Sequence, residues 1–534
     1  MTTYLTTTIP YVNAAPHLGF ALEAVQADVL ARHARLRGEP VRLLSGTDDN
    51  SLKNVLAADA AGVDVATFVD ANADRFAALA GPLSLTYDDF IRTSRDPRHR
   101  VGVEALWRAC AAAGDLYRDT YEGLYCVGGE HYVTPDELEA GGVCPEHRTP
   151  PQPLSETNWF FRLSRYAPRI EAAIESGELT VAPDARRNEV LAFIRAGLRD
   201  LSISRSQARA RGWGIPVPGD PEQVVYVWWD ALGNYVTSLG YGDLSGDTTL
   251  LDRWWNGADR RVHLIGKGVL RFHAVYWPAL LLSAGLPLPT HIRVHDYLTV
   301  GRRKISKSDG TGIDPVALVD AYGVDAVRWW LLRDVPRVGD ADFTVERLEA
   351  RAAEDLAGGI GNVVNRVATM VHRFRDGVPP RLAGGAPDDT KELVAACDRA
   401  PATIDAALAD GDYRVATAAI LEVVTAANRC IESTAPWSLA KAAAAGDADA
   451  ALRLDALLAV LVHACRVVAT ELAPLLPDAA ARIAYACRAD DEASGRLPVP
   501  AKVFDCIFGA SRHRYASAAP GANFHSQPLR RKVR

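Results

Sequence analysis

Two short runs of this chain combine residue types that can handle phosphate. His17-Leu18-Gly19-Phe20 follows a run of strand formers, Tyr4-Leu5-Thr6-Thr7-Thr8, and precedes a helical pattern, so it lies where a first strand turns into a first helix. In an open parallel sheet, ligands gather beyond the carboxyl ends of the strands, and a helix N-terminus there favours an anion. A glycine permits close backbone approach, and a histidine can bond a phosphoryl oxygen. For the tetrapeptide alone, a histidine capping an ordinary turn is the commoner explanation. The second run, Lys304-Ile305-Ser306-Lys307-Ser308, carries two lysines three residues apart and is flanked by Arg302, Arg303, Asp309 and Gly310. Such a loop can close over a triphosphate and neutralise charge on departing pyrophosphate, although a charge run is usually a solvated loop. The pair of motifs is far more specific than either part.

The elements that must carry these runs follow from the pattern around them. Up to about residue 345, short β-rich runs alternate with helical stretches, the rhythm of a parallel sheet with crossover helices. Residues 4–8 read as the first strand. Leu22, Val25 and Val29 then share one helical face, Gly38 is placed to stop that helix, and 41–45 reads as the next strand. A stretch from about 116 to 222, holding Cys126, Cys144 and His147, interrupts this rhythm as an insertion. Beyond about residue 346 the pattern is helical: Ile420, Val423, Val424 and Ala427, and again Leu454, Leu457, Leu458 and Leu461, follow the i, i+3, i+4, i+7 rule. The expected fold is therefore α/β with a helical bundle appended. Its segments are 1–115 and 223–345 for two halves of the sheet, 116–222 for the insertion, 346–510 for the bundle and 511–534 for a disordered basic tail.

Composition bounds what such a chain does. Of 534 residues, 59 are Lys or Arg and 66 Asp or Glu, a net charge of −7, so there is no global field to attract nucleic acid. A large protein can still confine a basic surface to one face. Hydrophobic residues at 48% are ample for large cores and exclude a disordered or collagenous chain. The longest apolar stretch, 274–289, is broken by Pro278, Gly285 and Pro287, so no membrane span is expected. The first ten residues lack a basic region followed by an apolar core, and the eight cysteines are scattered. Both point to the cytoplasm.

The two motifs match the signatures of class I aminoacyl-tRNA synthetases, and the chain resembles the methionyl-tRNA synthetase family over nearly its whole length. The resemblance rests on Ile9-Pro10-Tyr11-Val12-Asn13-Ala14, Tyr226-Val227-Trp228-Trp229-Asp230-Ala231, and the segment from Phe272-His273 to Trp277-Pro278-Ala279. Tyr322-Gly323-Val324-Asp325-Ala326-Val327-Arg328, Gly361-Asn362-Val363-Val364-Asn365-Arg366 and Ala435-Pro436-Trp437 extend it, in the family's order. It implies a Rossmann-type catalytic sheet split by a connective insertion, followed by an anticodon-binding bundle. It also implies a methionine–tRNA ligase, in which the carboxylate of methionine attacks the α-phosphorus of ATP, carried with Mg2+, and the adenylate is passed to tRNA(Met). His17, Lys304 and Lys307 would be catalytic. ATP would meet His17, Gly19, Gly266, Lys304, Ser306 and Lys307. Asp48 would hold the substrate ammonium, with Ile9, Tyr11, Trp228, Leu232, Tyr235 and His273 walling an apolar pocket whose aromatic edges suit a thioether. Asn362, Arg366 and Trp437 would read the anticodon, one base stacking on the indole.

The chain departs from the family around the nucleotide. Phe20 replaces the histidine that ends the first motif, Gly268 stands where an aspartate usually bonds the ATP ribose, and Asp296 stands where glycine is usual. Asp48-Asp49-Asn50-Ser51 replaces an Asp-Glu-His-Gly run. The family's zinc knuckle is reduced to Cys126, Cys144 and His147, with Glu130 or His131 as substitutes, whereas structural zinc takes four ligands. These departures suggest a divergent second copy, tolerant of an inhibitor of the ordinary enzyme. Two other readings are an adenylate-forming paralogue serving small-molecule assembly and a tRNA-binding protein that has lost catalysis. Retention of His17, Asp48, Lys304 and Lys307 speaks against the last, and retention of Asn362, Arg366 and Trp437 against the former. A monomer is expected, because no further oligonucleotide-binding module follows the bundle.

Overall fold

The structure, a computed structural model, describes residues 1–126, 131–133, 135–145, 148–305, 312–382, 385–487 and 496–497. The chain divides into two compact units, one of residues 1–81 and 85–297, the other of 82–84 and 298–534.

The first unit is built on a six-stranded sheet in which every neighbouring pair is parallel. Its strands are β1 (Thr3–Thr6), β2 (Val41–Thr47), β3 (Asp89–Arg92), β4 (Thr180–Ala182), β5 (Arg260–Gly266) and β6 (His291–His295), in the spatial order β3-β2-β1-β5-β6-β4. Connections run outward from β1 to β2 and β3, cross to the far edge at β4, return beside β1 at β5 and close the gap with β6. The strand order thus reverses between β1 and β5, the place where such sheets open a crevice at their carboxyl ends. β1, Thr3-Tyr4-Leu5-Thr6, is buried along its whole length, as a strand at the centre of a parallel sheet is.

Helix α1 (Leu18–Leu36) follows β1. Leu22, Val25 and Val29 are buried on its inner face, and Gly38, at φ +73°, supplies the left-handed residue just beyond its end. β1 stops at Thr6 rather than Thr8, because the Thr8 N–H turns away to a side chain, Glu23 Oε1, at 2.6 Å. Helices α2 (Val65–Ala77) and α3 (Val227–Thr237) complete the frame around the crevice. The Tyr4 hydroxyl donates to the Tyr235 carbonyl at 2.9 Å and so ties α3 to β1. Between β3 and α3 the chain forms a four-stranded antiparallel sheet that includes Leu116–Cys126 and Gln152–Phe161, and a smaller three-stranded one.

The second unit begins with a hairpin, Leu298–Val300 against Arg303–Lys304, turned by Gly301 and Arg302 at φ +57° and +60°. Helices follow: α4 (Val324–Arg333), α5 (Asn362–Arg375), α6 (Lys391–Ala409), α7 (Tyr413–Thr434), α8 (Pro436–Ala444), α9 (Ala448–Leu472) and α10 (Pro477–Cys487). The periodic positions read from the sequence, Ile420, Val423, Val424 and Ala427 on α7 and Leu454, Leu457, Leu458 and Leu461 on α9, are all buried. Ala435 alone separates α7 from α8. It sits at φ +44°, a left-handed conformation that costs a residue with a Cβ about 1 kcal/mol, and the following Pro436 starts the new helix.

Candidate active site

The reversal point between β1 and β5 holds a cavity of about 150 Å³. Thr8, Ile9, Pro10 and Tyr11 reach it from the end of β1, Asp48 from the end of β2, and Val269 and His273 from beyond β5. Trp228, Ala231, Leu232 and Tyr235 form the α3 side. All seven residues assigned to the amino-acid pocket in the sequence, Ile9, Tyr11, Asp48, Trp228, Leu232, Tyr235 and His273, are therefore brought to one cavity. Thr8, Pro10, Ala231 and Val269 were not named there. Their side chains carry no chemical signature, and only adjacency to the named residues marks them.

Aromatic contacts shape the wall. Trp228 stacks face to face on Phe272 at 3.7 Å and meets Tyr11 edge-on at 6.4 Å. The chain between Phe272 and Tyr276 is a π-helical turn, which sets His273 inward, and such wide turns cluster at functional sites. His273 Nδ1 lies 2.9 Å from the Val269 carbonyl and must donate to it, so its Nε2 accepts from the Tyr235 hydroxyl at 2.7 Å. Burial holds this ring neutral, bringing its pKa down to about 4. Behind it, the Trp277 indole donates to His263 Nε2 at 3.2 Å, and His263 Nδ1 then donates to Thr6 Oγ1 at 2.6 Å. Burial pushes His263 well below the usual histidine range too. The cavity is thus apolar and neutral on this side. Its charge comes from Asp48, whose side chain is buried at the opposite lip.

His17 is the N-cap of α1. Its Nδ1 accepts the Gly19 N–H at 3.1 Å, which leaves the ring proton on Nε2 when the imidazole is neutral. The ring lies so close over Gly19 that a Cβ there would sit 2.9 Å from His17 Cε1, so the histidine's pose requires the glycine. The capping role and the phosphate-donor role are compatible, because they use different nitrogens. Phe20, one residue on, is buried and meets Phe76 of α2 edge-on at 5.0 Å. Gly266 ends β5 beside His295 of β6.

In the second unit, Lys304 ends the short hairpin, paired across it with Thr299. Ser306 and Lys307 lie outside the described residues. Asn362 opens α5 immediately after a π-helical stretch, Ala352–Gly361. Arg366 lies one turn further along α5 and donates to Asn428 of α7 at 2.8 Å. Trp437, in the first turn of α8, is 51% exposed, unusual for an indole.

Cys126 and Cys144 are buried with Val133, Leu124 and Leu138 in a small apolar cluster of the inserted sheet. His147 and Glu130 lie outside the described residues, and among those described no group of three or more side chains could hold a metal ion. Of the residues the sequence offers as zinc ligands, Cys126 and Cys144 are the two whose side chains lie among those described. Among the described residues, no helix is long and apolar enough to cross a membrane.

Comparison with known proteins finds relatives over most of the chain. The model for class I (M) tRNA synthetases matches residues 3–153 and 148–368, and that for the anticodon binding domain of methionyl tRNA ligase matches 380–503. A methionine–tRNA ligase of Mesorhizobium japonicum is 39% identical over 90% of each chain. One of Mycobacterium bovis is 40% identical over 90% of this chain and 91% of its own. The solved structure of Mycobacterium tuberculosis methionyl-tRNA synthetase in complex with methionyl-adenylate superposes with a TM-score of 0.88. It shares 38% identity and covers 94% of this chain and 100% of that one.

Proposed function

The chain belongs to the methionyl-tRNA synthetase family, and from that we propose which of its residues run the reaction. It is an ATP-dependent methionine–tRNA ligase: methionine is activated to methionyl-adenylate and transferred to tRNA. Relatives matching over nine-tenths of the chain favour neither the small-molecule paralogue nor the binder without catalysis.

The observation that carries the assignment of residues is the cavity between β1 and β5, with one buried carboxylate at its lip and aromatic rings on its walls. Asp48 takes the methionine ammonium in a charge-assisted bond, worth roughly 1.5–3 kcal/mol. The thioether lies among Tyr11, Trp228, Leu232, Tyr235 and His273, with the Ile9 backbone alongside. That leaves the substrate carboxylate to face the nucleotide. His17 donates from Nε2 to a phosphoryl oxygen, Gly19 and Gly266 let the backbone come close, and Ser306, Lys304 and Lys307 neutralise the departing pyrophosphate, which travels with Mg2+. Asn362 and Arg366 bond the edges of anticodon bases, and one base stacks on Trp437.

These roles place catalysis in segments 1–115 and 223–345, the insertion in 116–222 and anticodon reading in 346–510. The tail 511–534 lies outside the described residues. We also infer a monomer working in the cytoplasm, a state that analytical ultracentrifugation and fractionation read directly.

Exchange of pyrophosphate into ATP, run with each of the amino acids in turn and with and without tRNA, tests the assignment. Methionine alone should support exchange. Substituting Lys307→Ala should slow it about 10²-fold with little change in methionine affinity, because the lysine acts on charge that develops late. Equal losses in rate and affinity would remove Lys307 from that role.

A further inference from the structure

Beneath the cavity wall lies a buried ionic group that the proposed reaction does not use. His295, at the carboxyl end of β6, has both ring nitrogens engaged. Nε2 is 2.8 Å from Glu23 Oε2 of α1, and Nδ1 is 2.9 Å from the Asp296 carbonyl. A carboxylate and a carbonyl only accept, so both nitrogens must donate, and the ring is an imidazolium. Glu23, 4% exposed, spends its other oxygen on Thr8. Oε1 accepts from the Thr8 N–H at 2.6 Å and from the Thr8 hydroxyl at 2.5 Å. Thr8 is the first residue of the cavity wall.

Among the described residues, the following charged groups surround the ring. α1 contributes Glu23, and the turn after β6 contributes Asp296, whose buried carboxylate pairs with Arg186 and lies 3.6 Å from Lys267 Nζ. The end of β5 presents the Gly266 backbone and Lys267, and the segment after β1 presents the Thr8 hydroxyl. Burial disfavours charge on His295, but the hydrogen bond and charge of Glu23, aided by Asp296, outweigh it and raise its pKa above the usual histidine value. The charge of Glu23 also reaches Tyr235 and His273, so its neutralisation is felt in the cavity.

We propose that His295 is a positioning residue whose positive charge holds Glu23, and through it Thr8 and the wall it begins, and keeps the floor of the site neutral towards anionic substrates. The consequence, which rests on the reading of the cavity as the methionine and ATP site, is that activation falls about tenfold on the alkaline side as this ring loses its proton. The Glu23 carboxylate, still held by Thr8, would then lack its counter-charge beside the substrate carboxylate and the phosphates, and one of the two bonds holding the ring would be lost. Asp296, the chain's own departure from glycine, would extend the working range upward, since a second nearby negative charge favours the protonated ring.

The test measures pyrophosphate exchange against pH in the full chain, beside histidine ring-proton NMR. The signal lost in His295→Gln identifies this ring. It should titrate above pH 6.5, and the alkaline fall in kcat/KM for methionine should track it. Asp296→Gly, which leaves the hydrogen bonds of the ring in place, should move both the signal and the fall to lower pH, because it removes a nearby negative charge. Glu23→Gln should move them further. His295→Gln should remove that limb from the profile and lower kcat/KM about tenfold throughout. A ring already neutral at pH 7, or a limb unmoved in Asp296→Gly while the signal moves, would overturn the proposal. Absence of methionine-dependent exchange at every pH would instead overturn the reading of the site, because the NMR titration reports the ring's charge without substrate.

Discussion

His273 and His295 are both deeply placed imidazoles, yet one is neutral and the other charged, and the difference lies in their second partners. His273 gives one proton to a carbonyl and accepts from a phenol, whereas His295 faces two acceptors. For His273 the folded state holds its pKa near 4, against 6.5 for an ordinary histidine. Between those values the unfolded chain binds the extra proton, so stability rises with pH from about 4 to 6.5 and is lost as pH falls through that window. The contribution is about 3 kcal/mol. Urea unfolding followed across this window should show a shallower pH slope in His273→Gln, which cannot titrate. Tyr235→Phe should leave His273 Nε2 buried without its donor, costing about 1–3 kcal/mol in the same assay and raising the KM for methionine roughly tenfold. The cavity residues could be read from the sequence because Asp48, Tyr11, Trp228 and His273 are types with few uses in an apolar crevice. Glu23 could not. It lies on a helix whose sequence pattern marks one apolar face, where a glutamate is expected to face water, yet the structure buries that helix on every side from Phe20 to Val29.

The helices were visible wherever the 3.6-residue period holds, as on α7 and α9, and strand β1 was visible up to the point where Glu23 takes its next N–H. The wide π-helical turns before Trp277 and Asn362 have no period of their own and leave no trace in a hydrophobic pattern. α1 shows how a departure from the family becomes part of the packing. Phe20 at its first turn meets Phe76 of α2, so Phe20→Ala should cost about 3 kcal/mol, read as a lower urea midpoint. Trp437 is the opposite case. Half exposed at the start of α8, it should tolerate Trp437→Ala with less than about 0.5 kcal/mol lost. The ratio of tRNA charging to pyrophosphate exchange should nevertheless fall by at least about tenfold, since base–aromatic stacking is worth about 1–3 kcal/mol. A proportional fall in both rates would remove Trp437 from anticodon reading.

The two compact units do not follow the chain in simple order, because residues 82–84 belong with the second. Fully buried Arg328 of α4 shows why: its guanidinium donates to the carbonyls of Leu83, Pro474 and Leu475 at 2.8–3.2 Å. Nothing in the sequence around Leu83 signals this, since the recipient is backbone. Arg328→Lys keeps the charge but loses the planar fork, and should cost about 2–3 kcal/mol, seen as an earlier unfolding of the second unit in calorimetry. A comparable separation lies within the first unit. Thr6 of β1 and His263 of β5, which touch side by side in the sheet, are 257 positions apart. On a ribosome adding about 5–20 residues per second, the first strand waits roughly ten to fifty seconds for that neighbour. Throughout that time the nascent segment has an unpaired edge and no complete methionine site, so the amino acid cannot stabilise it. Only after synthesis has passed His273 and β6, a little over half of the 534 residues, can the ligand act as a folding aid.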